Sequence, residues 1–224
     1  MFYYYGRKKK LGHLYPTATH DVIVEPFAGS AAYACRPEHR DREVILVERD
    51  PLVAELWRRL LAMSVDEVLS MPELEVGEST TDPLHIMHAA SKRAFDYRRI
   101  TVTKVLAANW RCGRRAIAEA LPHVRHWTIV EGDYTAAPDV EATWFVDPPY
   151  QGAPGSGYRF GSDLLDYPAL GDWCRERRGQ AVVCEQVGAD WLPFVPLAEL
   201  VGVAGKRSAE AVWLRDTAST VNVC

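Results

Sequence analysis

Three short apolar runs, rich in β-branched and aromatic residues, each end in a carboxylate at a turn. They are Val22-Ile23-Val24-Glu25, Val44-Ile45-Leu46-Val47-Glu48 and Thr143-Trp144-Phe145-Val146-Asp147. Runs of this length, bounded by Gly and Pro, read as strands. Helical stretches lie between them. A chain that alternates strand and helix folds as an α/β protein, with a parallel-rich sheet and helices on both faces. The spacing predicts strands over 21–25, 43–48, 126–131, 143–146, 180–185 and 211–215, the last paired at or near an edge. It predicts helices over 29–36, 51–63 and 166–178. Residues 64–125 break the alternation and read as a small helical insertion. That insertion starts with a polar stretch over 73–82. A helix from His85 to about Arg99 and another from Thr103 to about Leu121 follow. The expected organisation is one domain from 1–63 and 126–224, interrupted by the insertion.

The turn after the first run is Glu25-Pro26-Phe27-Ala28-Gly29-Ser30-Ala31-Ala32. Gly29 lacks a Cβ, so a ligand can approach the backbone there. Glu48 follows Gly29 by 48 − 29 = 19 residues and ends the next strand. An acid about 20 residues past a glycine turn suits the two hydroxyls of a ribose. The turn lacks the full G-x-G-x-x-G pattern of a dinucleotide site. A nucleoside cofactor without a pyrophosphate fits better, and S-adenosyl-L-methionine is the expected one. Asp133 in Gly132-Asp133-Tyr134 ends a further strand and suits the cofactor's adenine amino group. A turn or helix cap is the plainer role for it.

Asp147-Pro148-Pro149-Tyr150 closes the third run. An exocyclic amino group on a base ring is a poor nucleophile, because its lone pair is delocalised. A carboxylate from Asp147 and a carbonyl from Pro148 can accept both N–H groups and push the nitrogen toward tetrahedral geometry. The prolines stiffen the loop and remove competing donors. Tyr150 offers a ring face for a flipped-out base. The plainer reading is a proline-rich turn.

In order along the chain, Glu25-Pro26-Phe27-Ala28-Gly29-Ser30, Glu48, Gly132-Asp133 and Asp147-Pro148-Pro149-Tyr150 resemble the Dam-type DNA adenine-N6 methyltransferases. The N-terminal Phe2-Tyr3-Tyr4-Tyr5-Gly6-Arg7-Lys8 is similar to that family's opening motif, with Arg7 in place of a second glycine. The resemblance covers residues 2–50 and 126–150. It implies a Rossmann-like methyltransferase sheet and an S-adenosyl-L-methionine site. That site would comprise Tyr5, Gly6, Lys8, Glu25, Pro26, Phe27, Ala28, Gly29, Ser30, Glu48, Arg49, Asp133, Tyr134 and Asp147, with the opening motif at the cofactor's methionine end. It implies catalysis by Asp147, Pro148, Pro149 and Tyr150, and target recognition by the segment inserted after the second strand.

Composition bounds the remaining possibilities. The 224 residues are 48 % hydrophobic and 25 % charged, which is ordinary for a soluble globule. No apolar run is long enough for a membrane span, and no secretory signal is expected. Five scattered cysteines (Cys35, Cys112, Cys174, Cys184 and Cys224) form no C-x-x-C pair, so a reduced cytoplasmic protein is expected. The pairs His85/His88 and His123/His126 have metal-ligand spacing but no Cys or carboxylate partner beside them, and no metal is expected. The net charge of −4 is unusual for a nucleic-acid protein, but basic clusters are local. Lys9, Lys10, Trp110, Arg111, Arg114 and Arg115 are the candidates for DNA contact. Asn109 beside them suits adenine, and helix packing is the other role open to Trp110. Arg175 with Arg177-Arg178 reads as a solvated helix face.

The stretch Gln151-Gly152-Ala153-Pro154-Gly155-Ser156-Gly157-Tyr158-Arg159-Phe160 exceeds an ordinary connector. It reads as a lid ordering over the flipped base or the adjacent strand, with Tyr158 and Arg159 as further DNA contacts. Glu185 is expected to line the target pocket. The sequence therefore points to adenine-N6 methylation of duplex DNA by base flipping. Methylation of cytosine N4 or of RNA, and a non-catalytic nucleic-acid-binding module that retains the fold, are the rivals.

Overall fold

A computed structural model describes residues 2–4, 6, 8, 11–89, 98–201 and 207–216. In chain order, the first part contains strands β1 (Val22–Glu25) and β2 (Glu43–Glu48) and helices α1 (Pro51–Ala62) and α2 (Val65–Ser70). Strand β3 (Ser79–Thr80), helix α3 (Pro83–Met87), strand β4 (Ile100–Thr101) and helix α4 (Lys104–Val124) follow. The rest comprises β5 (Thr128–Glu131), β6 (Glu141–Val146), α5 (Tyr167–Glu176), β7 (Arg178–Gln186), β8 (Val195–Val201) and β9 (Arg207–Asp216).

Seven strands form one sheet in the order β5-β2-β1-β6-β7-β9-β8. The first five run parallel. β9 runs antiparallel between β7 and β8. From β1 the chain steps outward to β2 and β5, then returns to the other side of β1 for β6 and β7. The order therefore reverses between β1 and β6. In open α/β sheets that reversal leaves a crevice at the carboxyl ends of the strands.

Consecutive strand residues point to opposite faces. Ile23, Phe145, Val182 and Cys184 pack with Leu56, Trp57 and Leu60 of α1 and Ile117 and Leu121 of α4. Their neighbours Val24, Trp144, Val146 and Val183 pack with Tyr167, Leu170 and Cys174 of α5. Helices thus cover both faces. The helices start where local chemistry favours it: Asp50 accepts the Leu52 N–H before Pro51 opens α1, and Asp166 caps α5. The segment 64–125 shares one core with the sheet, since Trp110, Ile117, Leu121 and Val124 belong to it.

Four expectations need correction. Residues 29–36 form turns rather than a helix. Gly29 and Ala31 have φ of +46° and +49°, and the Ala34 N–H goes to the Glu25 carboxylate at 2.7 Å. A single helical-type bond remains, Cys35 N–H to Ala31 O at 3.0 Å. The helix expected from His85 to Arg99 ends at Met87. Residues 90–97 lie outside the described residues, and Ile100-Thr101 pairs antiparallel with Ser79-Thr80, so a short β-ladder sits where none was expected. The last strand, β9, lies near the edge as expected, but the edge itself is β8, a strand absent from the expected set because Pro193 and Pro196 read as breakers. An edge strand tolerates Pro, and a register shift between Pro196 and Ala198 absorbs it. The helix expected over 166–178 stops at Glu176, and Arg178 already begins β7.

Candidate functional site

A cavity of about 320 Å³ opens at the carboxyl ends of β1, β2 and β6. Glu25, Glu48 and Asp147 line it, and Asp133 reaches it from the turn after β5. Those four acids come from strands that the sheet order makes neighbours. Gly6, Lys8, Arg49, Tyr134, Pro149 and the whole turn Pro26-Phe27-Ala28-Gly29-Ser30 also line the cavity. Tyr5, Lys9 and Lys10 lie outside the described residues.

The turn after β1 is built around carboxylates. Glu48 Oε2 accepts the Gly29 N–H at 2.9 Å, and its Oε1 accepts the Asp50 N–H at 2.8 Å. Trp57 Nε1 donates to the Gly29 carbonyl at 2.8 Å. Gly29 is needed for its left-handed φ and for space, because a Cβ would stand 2.9 Å from the Tyr4 ring. The Cβ position is filled by Tyr4, while the Gly29 backbone lines the cavity. Burial pushes the Glu25 carboxyl up to about 8 against the pull of the Ala34 N–H. Burial pushes Glu48 up to about 7, against the Asp50 and Gly29 N–H groups. Phe27 and Tyr134 stack at the cavity wall with ring centroids 5.9 Å apart. Asp133 is exposed at the rim, and its Oδ1 caps the Thr135 N–H at 2.9 Å. The cap anticipated for it is therefore present.

Asp147 stands at the switch point, at the tip of β6. Lys8 Nζ lies 2.7 Å from Asp147 Oδ1 and 4.5 Å from the centroid of the Tyr150 ring. Glu210 of β9 accepts a hydrogen bond from the Tyr150 hydroxyl and a longer one, 3.4 Å, from Tyr15. Burial pushes Asp147 above the usual carboxylate range, and Lys8 pulls it back. Burial opposes the charge on Lys8, yet Asp147 and Glu210 outweigh it and hold the ammonium charged. The Pro149 carbonyl accepts the Tyr167 hydroxyl at 2.7 Å, which fixes the loop from the α5 side. Tyr150 packs against the core, with Lys8 over its ring. Pro148 is buried.

Part of the loop after Asp147 lines this cavity. Tyr158, Arg159 and Phe160 line it. Arg159 Nη1 lies 3.3 Å from Asp50 Oδ1, and the Arg49 guanidinium stacks over Phe160 at 5.2 Å. Tyr158 packs 6.2 Å from Tyr4. Tyr158 and Arg159 are therefore part of the cavity wall. Glu185 anchors the start of the same loop. It accepts the Gln151 N–H at 3.1 Å and the Trp191 indole N–H at 3.0 Å.

The proposed recognition cluster is largely committed elsewhere. Trp110 is fully buried and donates its indole N–H to the Pro72 carbonyl at 2.9 Å. It is a core residue. Asn109 donates to the His88 carbonyl at 3.0 Å. Arg114 is tied to the Met71 carbonyl and to Glu73, and Arg111 lies 3.6 Å from Glu73. Arg115 is exposed. Arg177 stacks on Trp173 at 4.4 Å, so that cluster serves packing as well as the surface. His85 and His88 pack edge-on against Trp110. Among the described residues no group of three or more His, Cys, Asp or Glu side chains is arranged to hold a metal ion, and no helix is long and apolar enough to cross a membrane.

Asp50 and Glu210 are site residues that no sequence motif singled out. Asp50 had a local signal, as a residue preceding Pro51 and a helix. No protein-family model and no curated protein matches this chain.

Proposed function

We propose that this protein is an S-adenosyl-L-methionine-dependent methyltransferase that modifies the N6 amino group of adenine in DNA. The observation that carries the reading is the convergence of Glu48 and Asp147 on one cavity at the sheet's switch point, with Pro149 of the Asp-Pro-Pro-Tyr segment also in its lining.

The cavity suits a nucleoside cofactor better than a phosphorylated one. Phosphate binding in such sheets uses the N-terminus of a helix after the first strand. Here turns follow β1, and carboxylates face the opening. Glu48 spends one lone pair of each oxygen on a backbone N–H, which leaves an acceptor site on each for a pair of ribose hydroxyls. Phe27 and Tyr134 supply an aromatic wall, and Asp133 an acceptor at the rim. Tyr4, Gly6 and Lys8 face the remaining end. The cavity's size lies within the range of small-molecule sites.

When bound, the cofactor supplies a methyl group made electrophilic by its sulfonium. Asp147 does the rest of the work on the target. Its carboxylate accepts an N–H of the amino group and localises the nitrogen lone pair toward the methyl carbon. With the cofactor in place its C–S bond would break as the nitrogen takes the methyl group, and Asp147 or solvent would receive the amino proton. The barrier falls through alignment and a preorganised site sheltered from water by the loop over 151–160. The Lys8 ammonium already 2.7 Å from Asp147 supports the idea that a nitrogen donor is welcome there.

The test is methyl transfer from isotopically labelled cofactor to unmethylated DNA and, separately, to RNA. Nucleoside mass spectrometry reads the product. N6-methyladenine from DNA is the expected result. N4-methylcytosine or a methylated ribonucleoside would move the target, and no product with any nucleic acid would overturn the reading.

A further inference from the structure

We infer that Glu210 is a second seat for the Lys8 ammonium, and that the target amino group gains access to Asp147 when Lys8 moves across to Glu210. This rests on the reading of Asp147 as the acceptor for a target amino group.

Lys8 occupies the place the target needs. Its Nζ lies 2.7 Å from Asp147 Oδ1, and it covers the Tyr150 ring at 4.5 Å. A base stacked on Tyr150 with its amino group on Asp147 would meet that ammonium. Lys8 therefore has to yield. Its side chain is only 8 % exposed, so solvent is not at hand to receive the charge. A buried ammonium released from its partner is strongly disfavoured unless another anion takes it. Glu210 is that anion. Its Oε2 lies 4.0 Å from Lys8 Nζ, outside hydrogen-bond distance and within ion-pair range. A small swing of Nζ converts the long pair into a close one.

Glu210 is well suited to wait there. It projects from β9, whose backbone pairs on both sides, with Gln186 of β7 and Ala198 of β8. The hydroxyls of Tyr150 and Tyr15 both donate to its Oε2. Those bonds fix the carboxylate before the lysine arrives. They also tie the seat to the stacking ring, so Tyr150 and Glu210 hold one geometry. With Lys8 on Glu210, Asp147 keeps an anionic oxygen for the target, and the cluster as a whole loses no ion pair. Glu210 acts through Lys8 and Tyr150, which makes it a positioning residue.

A double-mutant cycle in steady-state methylation tests this. Glu210→Gln keeps the shape and an acceptor oxygen for both tyrosines but removes the charge that receives Lys8. KM for DNA should rise about tenfold, the scale of one charge-assisted contact, while kcat stays within about threefold because the target, once seated, meets the same Asp147. In a Lys8→Met background the same substitution should leave KM unchanged, since no competitor remains to be moved. Where Lys8→Met turns over too slowly to measure, affinity for an oligonucleotide carrying the methylated site replaces KM in the cycle. Equal effects of Glu210→Gln with and without Lys8, or a loss confined to kcat, would overturn the proposal. Wild-type protein that methylates nothing would instead reject the reading of Asp147 itself.

Discussion

Glu48 gives two backbone N–H groups their acceptors and still has an oxygen lone pair on each side for a ligand. Its carboxyl sits near 7 because burial raises it. A ribose needs the ionised form. Cofactor affinity should therefore rise as pH increases from about 6 to 8, with binding coupled to proton release. Glu48→Gln should lose affinity at pH 8 by the value of a charge-assisted hydrogen bond, roughly 1.5–3 kcal/mol, and its affinity should no longer rise over that pH range. Calorimetry across pH measures both effects. Glu25 makes a stability prediction of the opposite sign. Its folded pKa, about 8, lies above the ordinary carboxylate value of 4.5. The native state thus binds a proton that the unfolded chain releases, so Glu25's contribution is complete at low pH and is lost as pH rises through about 8. Glu25→Gln has no proton to lose. Its melting temperature should fall less than that of wild type between pH 5 and 9, as followed by thermal unfolding. An equal fall in both proteins would exclude Glu25 as the source.

The parallel strands were legible because β-branched runs bounded by Gly and Pro have few other uses. The turn over 29–36 was not, because its small residues fit a helix equally well. What forbids the helix is tertiary: Glu25 takes the Ala34 N–H, and Tyr4 packs on Gly29. β8 hid behind Pro193, which precedes it, and Pro196, which its edge position tolerates. In the segment between α1 and β5, composition suggested a nucleic-acid surface, and packing decided otherwise for Trp110. Its ring lies in the core that α4 shares with the sheet. Trp110→Ala should cost about 3–5 kcal/mol of stability, read by denaturant unfolding. A change in nucleic-acid affinity with stability intact would restore Trp110 to the recognition surface. Arg111 and Arg114 converge on Glu73, which partly neutralises the cluster they were expected to form.

At the scale of the whole molecule, one sheet brings together residues far apart in the chain. Glu25, Glu48 and Asp147 were identifiable because each ends a recognisable strand. Glu210 was not, since its partners Tyr150 and Tyr15 lie 60 and 195 residues away and β9 shows no motif. The net charge of −4 places no general attraction for DNA on the surface, so under the proposed function target engagement would come from local basic groups and the pocket itself. The proposed function divides the labour within the cavity: the β1 and β2 ends would hold the cofactor, and Asp147 the target. Methyl transfer and cofactor affinity, measured side by side for wild type and Asp147→Ala, test that division most directly. Wild type should form N6-methyladenine in DNA. Asp147→Ala should form none detectable while binding S-adenosyl-L-methionine within about threefold of wild type, since losing a contact made only to the target leaves the cofactor's contacts in place. Near-wild-type methylation by Asp147→Ala would contradict the account.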